Sequence, residues 1–158
     1  MAFMKFKIGV EQAIYVVVIL ARQKDQQPLK SKLLSQILQV SDSYLHKITH
    51  QLAVAGIVTT EASKTGGLTL ARSTTKITLL DIFQAVEGEG SFASWNNLRD
   101  HVLRLDGEAF NEKFDQVSQQ FQKAEDDYKN TLARVSIADL LSDETAAYVD
   151  WRQITADD

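Results

Sequence analysis

Residues 40–72, "VSDSYLHKITHQLAVAGIVTTEASKTGGLTLAR", restrict this chain more than any other stretch. They hold a polar helix start, a helix, a glycine and two β-type runs around a Gly-Gly pair. At about 100° per residue, Leu45, Ile48 and Leu52 fall on one side of the helix, and Ser43, His46, Lys47 and His50 fall on the other. Ser41 is placed as its N-cap, after the four-residue turn "QVSD". Upstream, Ser31 can cap a helix in which Leu33, Leu34, Ile37 and Leu38 pack inward. Two helices joined by a tight turn, the second with a hydrogen-bonding and partly basic outer face, have the layout of a helix-turn-helix. In that motif the second helix enters the major groove of DNA and uses its N-terminal side chains on base edges. An ordinary amphipathic surface helix would show the same periodicity.

The hairpin separates the two readings. Gly56 is well placed as the C-cap, and the runs "IVTTE" and "LTLAR" follow, joined by "ASKTGG". A hairpin directly after a recognition helix is the wing of a winged helix. Ser63, Lys64 and Thr65 would form its tip, the glycines would supply positive φ, and Lys64 would supply charge for a phosphate. An earlier helix is expected over Ile8–Arg22, where Val10, Ile14, Val17, Val18 and Ala21 recur at three- and four-residue steps until Pro28 breaks the pattern. Thr78 with Asp81 is a capping-box variant opening a fourth helix.

The net charge of -4 conceals a segregation of sign. Residues 1–77 hold ten Lys/Arg against four Asp/Glu, and residues 78–158 hold seven against seventeen. A basic half joined to an acidic half fits a nucleic-acid-binding module with a separate assembly region, although a chain can be lopsided by chance. The absence of cysteine excludes disulfides, thiolate catalysis and any metal site that needs thiolates. No apolar run approaches the ~18 residues of a membrane span, and no cleavage site follows the longest, Ala13–Ala21, so a soluble, cytoplasmic protein is expected.

From Gly107 onward, Phe110, Phe114, Val117, Phe121, Ala124, Tyr128, Thr131 and Val135 alternate steps of four and three, a heptad seam flanked by charged and amide residues. One helix cannot hide that aromatic stripe, so pairing with a second copy is expected, with packing across its own domain as the alternative. Between the halves, Phe92, Trp95, Asn96, Asn97, Arg99 and His101 offer aromatic, amide and cationic groups suited to a small organic anion. The plainer role, which the composition favours, is to pack the base of the long helix and coat its surface. "DLLSDETAAYVDWRQITADD" reads as a short helix and an acidic tail.

The stretches "SDSYLHKITHQLAVAGIV", "KTGGLTLAR" and "KITLLDIFQAVEG" also resemble, in order and spacing from about residue 5 to 88, the Rrf-two family of bacterial winged-helix transcriptional regulators. The resemblance implies a homodimeric DNA-binding regulator, generally a repressor. It places Ser43, Tyr44 and His46 in the recognition-helix contact region, with His46 where an iron-sulfur assembly regulator of that family carries a glutamate that tunes base choice. Many relatives have an arginine and a glycine at the positions of Ala62 and Ser63, a role that Lys64 or Arg72 would have to take over in part. Several relatives bind an iron-sulfur cluster through three cysteines, and the matching stretch here, residues 89–107, has none. His101 alone cannot hold such a cluster, which needs mainly thiolates. The chain therefore resembles the cluster-free branch, with a small molecule or partner protein carrying the signal.

The expected fold is mainly α with a small β-hairpin wing (α+β): a winged helix-turn-helix domain at 1–88, a connecting segment at 89–106 as the effector region (Trp95, Arg99, His101), and a dimerisation helix with an acidic tail at 107–158. Double-stranded DNA is the expected partner, contacted through Ser41, Ser43, Tyr44, His46, Lys47, His50, Lys64, Thr65 and Arg72. Dimerisation is expected to run through Phe110, Phe114, Val117, Phe121 and Tyr128. No catalytic residue, metal or cofactor is assigned: His46 and His50 at i, i+4 have no evident third ligand, and neither a phosphate-binding glycine loop nor a nucleophile elbow occurs. From another functional class, the alternative is a dimeric protein-interaction module whose winged helix has lost strong DNA binding.

Overall fold

The computed structural model describes residues 8–93, 95, 98, 107–141 and 148–154, with the side chains of Ile8 and residues 107–110 left aside. They fall into two compact units, one of residues up to Gly88 together with those from Ala133 on, the other spanning Glu89–Leu132. The segment expected as one region at 107–158 is thus divided, its C-terminal part joining the winged-helix unit.

In the first unit, α1 (Ile8–Arg22) packs against α3 (Asp42–Val54), α4 (Leu79–Glu87) and the hairpin. Being covered from several directions, it buries a broader surface than one stripe: Val10, Ala13, Val16, Val17, Ile19, Leu20 and Ala21 are buried, whereas the predicted Ile14 and Val18 are only half-buried. Gly9 permits the crossing with α3, since a Cβ there would lie 2.9 Å from the Ile48 Cδ1. Helix α2 (Ser31–Leu38) begins one residue earlier than expected; Lys30 is its N-cap without a side-chain bond, and Ser31 is already helical. Gln39 ends it at φ 53°.

Val58–Thr60 (β1) and Leu68–Leu70 (β2) pair antiparallel with Val58 opposite Leu70. Leu29 bridges to Leu68, each donating its N–H to the other's carbonyl (3.1 and 2.8 Å). The fourth helix opens with the expected capping box, Thr78 accepting from the Asp81 N–H and Asp81 from the Thr78 N–H. The chain returns beside this start: Val135 accepts from Leu79 N, Ile137 N donates to Ile77 O, and Ile137 is fully buried. A second capping box, Ser136 with Asp139, opens the short α6 (Ile137–Leu140).

The C-terminal residues are anchored on α1. Val149 pairs with Gln23, the Trp151 indole N–H donates to the Ile19 carbonyl, and Trp151 opens the short α7 (Trp151–Ile154). Asp150 accepts from the Arg152 guanidinium (2.8 Å) and from the buried Gln23 amide (3.2 Å), and these two donors hold its carboxyl well below the usual carboxylate range. A carboxyl depressed in the folded state stabilises it above the unfolded value of about 3.9 and ceases to do so as pH falls. Urea unfolding followed by tryptophan fluorescence should therefore show wild type more stable than Asp150→Asn at pH 7, with the difference shrinking below about pH 4. A pH-independent difference would contradict this assignment.

The second unit is built on α5 (Gly107–Ala133). Trp95 meets Phe114 and Phe121 edge-on, with centroids 5.3 and 5.4 Å apart, and Phe92 lies 5.8 Å from Tyr128. The chain thus covers part of its own stripe, as the alternative reading allowed, yet Val117 and Phe121 remain 46% and 45% exposed. The helix ends before Val135, so the last seam position lies outside it. The Phe110 side chain, and Arg99, His101, Asn96 and Asn97, lie outside the described residues. Glu125, not singled out in the sequence, is buried on this helix; Ser91 Oγ donates to it at 2.6 Å and Lys129 Nζ at 2.6 Å. Lys129 and Ser91 both hold its carboxyl in the charged form, lowering its pKa.

Candidate nucleic-acid interface

Helix α3 is anchored from beneath by Leu45, Ile48 and Leu52, all essentially inaccessible, so its rotation about its axis is fixed by the core. The opposite face presents Ser43, His46, Lys47 and His50 to solvent, as the periodicity predicts. Ser41 acts as N-cap, accepting from the Tyr44 N–H at 3.3 Å, and its hydroxyl lies 3.4 Å from that of Ser43. Tyr44 is half-buried and packs against the core; a Cβ at Gly9 would sit 3.2 Å from its hydroxyl, so that hydroxyl points toward α1. Tyr44 thereby orients the start of the helix more than it presents itself to a duplex.

The helix ends in a Schellman motif, Ile57 N–H donating to Leu52 O and Gly56 N–H to Ala53 O. Ala55 is the C-cap, and Gly56, one position beyond, takes the left-handed conformation at φ 67°. Arg72 closes this end: Nε donates to Gly56 O (3.1 Å), Nη2 to Ala55 O (3.4 Å) and Nη1 to Lys76 O (3.3 Å), with Asp81 3.8 Å away. Its guanidinium is thus engaged with backbone carbonyls at the end of α3 and at Lys76.

Ser63, Lys64 and Thr65 form the exposed tip of the hairpin. Gly66 and Gly67 do not have positive φ, which corrects the expectation; close approach demands them instead. A Cβ would lie 2.3 Å from the Glu61 carbonyl oxygen at Gly66, and 2.5 Å from that of Leu29 at Gly67. Lys47 and Lys64 have no hydrogen bond or ion pair among the described residues, leaving both ammonium groups available to an anion. Lys30, unremarkable in the sequence, reaches the wing: its Nζ donates to the Ser63 carbonyl at 2.7 Å. A contact spanning 33 positions leaves no local sequence signal.

The family model described as "Rrf2: Iron-dependent Transcriptional regulator" matches residues 6–143. The chain belongs to the Rrf2 family. YffB of Lactococcus lactis, named as a candidate HTH-type transcriptional regulator, is 34% identical over 143 residues, covering 90% of this chain and 89% of the relative. The similarly named YwgB of Bacillus subtilis is 42% identical over 100 residues, which span 63% of this chain and 64% of the relative's length. Among solved structures, CymR, the global cysteine regulator of B. subtilis, aligns with TM-score 0.62 at 22% identity over 87% of this chain and 96% of its own. IscR of T. potens aligns with TM-score 0.61 at 21% identity over 89% and 88%. These two likenesses show the winged-helix fold.

The residues of this Rrf2 protein do not fit a thiolate-held iron-sulfur cluster. The chain has no cysteine, and among the described residues no three His, Asp or Glu side chains gather where a metal could be held. In the segment where relatives place cluster ligands, Ser91 and Phe92 pack on Glu125 and Tyr128 of α5. Among the described residues no helix is long and apolar enough to cross a membrane.

Proposed function

We propose that this Rrf2 regulator is a homodimeric, sequence-specific repressor that reads double-stranded DNA with α3 and its wing, and whose release is controlled by a small ligand or a partner protein. The observation carrying this reading is the exposed set Ser43, His46, Lys47 and His50 on a helix whose opposite face is locked in the core, next in sequence to a wing with a free lysine at its tip. Hydroxyl and imidazole groups can accept or donate at base edges in the major groove, whereas the ammonium groups of Lys47 and Lys64 suit phosphates. Two copies related by a two-fold axis would place their recognition helices about one DNA turn apart, so the operator should be a near-palindrome. Trp95, held against α5, is the described member of the proposed effector region. The names borne by the family and its relatives are those of transcriptional regulators, in keeping with a non-enzymatic role.

Affinity titrated against salt tests the assignment. Lys64→Ala should weaken binding to all duplexes alike and flatten the salt slope by about one unit. His46→Ala should change base preference at one position in each half-site and leave the slope unaltered. A Lys64→Ala effect confined to one operator position, or an unchanged preference in His46→Ala, would reject the respective role. The engagement of Arg72 with backbone carbonyls, together with Ala62 and Ser63 in place of the usual wing residues, favours the second reading, a dimeric protein-interaction module. Capture of a stoichiometric partner, with no retention on a random-duplex column, would select that reading.

A further inference from the structure

We infer that Lys30 is a wing-positioning residue: by holding the Ser63 carbonyl, its ammonium fixes the peptide that presents Lys64 to a DNA phosphate. The inference rests on the DNA-reading function proposed above.

A hairpin with strands of only three residues has little stability of its own. Its connecting loop contains two backbone bonds, Glu61 N–H to Gly67 O (2.9 Å) and Gly66 N–H to Ser63 O (3.2 Å). The remaining restraint comes from the start of α2. Leu29 is fully buried and exchanges both backbone bonds with Leu68, an approach that admits no side chain at Gly67. One residue on, Lys30 stands as the extended N-cap of α2 and extends its side chain to the wing tip, where Nζ meets the Ser63 oxygen at 2.7 Å. That oxygen accepts from both Lys30 and Gly66.

The Ser63 carbonyl and the Lys64 nitrogen and Cα share one rigid peptide plane. Fixing the oxygen therefore fixes where the Lys64 side chain begins. A charge-assisted bond is about twice as strong as a neutral one, and it leaves the other two ammonium donors of Lys30 to water. Through this bond the wing is registered to α2, and α2 in turn packs against α3. The two elements that would touch DNA are thus held to a common base, on the side where the family's usual wing arginine is missing.

The test uses the full chain and a duplex carrying its selected site, with Lys30→Met (stem kept, donor removed) and Lys30→Arg (donor kept). Lys30→Met should weaken binding about three- to tenfold, and Lys30→Arg should stay within about twofold of wild type. In a double-mutant cycle, Lys30→Met should have almost no further effect once Lys64 is alanine, because Lys30 acts through Lys64. In DNA-free protein, trypsin should release the fragment ending at Lys64 several-fold faster in Lys30→Met, with Lys30→Arg behaving as wild type. Additive effects, with the salt slope dropping by about one further unit in the Lys64→Ala background, would make Lys30 an independent phosphate contact and overturn the inference. Unchanged cleavage in Lys30→Met would overturn it as well. A wild-type protein that binds no duplex would overturn the DNA-reading function and the DNA part of this inference, while the cleavage rates would still decide whether Lys30 fixes the wing.

Discussion

In the proposed homodimer, Phe121→Asp is expected to give a monomer at micromolar concentration and to reduce operator affinity about ten- to a hundredfold. Phe121 is 45% exposed even with the Trp95 edge against it, and Val117, one helical turn away, is 46% exposed. Fully burying a phenylalanine is worth about 1.5–3 kcal/mol; with about half of Phe121 already covered within its own chain, about 0.7–1.5 kcal/mol remains for a second copy, and in a two-fold interface each such contact occurs twice. The loss of about 1.5–3 kcal/mol, at about 1.4 kcal/mol per tenfold, gives the stated range. A carboxylate at a half-exposed position of a long helix leaves the helix intact, so far-UV circular dichroism should not change, and Phe121→Leu should remain dimeric. Sedimentation equilibrium decides: a Phe121→Asp protein that stays dimeric would move the interface elsewhere, and a wild-type monomer would remove it.

The second large effect is expected from Arg72→Met. Three backbone carbonyls, two at the end of the recognition helix and one at Lys76, lose their donor together, as does the neighbouring Asp81 carboxylate. Because the guanidinium is about one-third exposed and water can replace part of each bond, a loss of about 1–2 kcal/mol is expected, well below the sum of the individual bonds. DNA affinity should fall with it, because the end of α3 and the turn at Lys76 that leads into α4 are no longer tied. Arg72→Lys should fail to restore either property, since a single ammonium cannot span three carbonyls in a fork. Had Arg72 been a phosphate ligand, lysine would restore binding, and methionine would lower the salt slope at unchanged stability.

The elements proposed to meet DNA were legible because periodicity and capping are local. Leu45, Ile48 and Leu52 recur at helical spacing, Thr78 and Asp81 are three apart, and both groups behave accordingly. At Gly66 and Gly67 the residue type was informative and the reason was not, because close approach to Leu29 and Glu61 depends on the folded path. Ser31 and Ser41 look alike as caps; only Ser41 precedes the first helical turn in the extended conformation that lets its hydroxyl meet an N–H. Nothing local marks Glu125, whose buried carboxylate accepts from Ser91, 34 positions away. The anchoring of Trp151 was not legible for a similar reason, since its partner Ile19 lies 132 positions earlier.

Selection of preferred duplexes from a random library by the purified protein, with affinity then titrated against salt, decides whether the protein reads DNA sequence. A near-palindrome with half-sites about one helical turn apart, bound with an affinity that falls steeply with salt, is the expected result. Equal, weak retention of all sequences would contradict it.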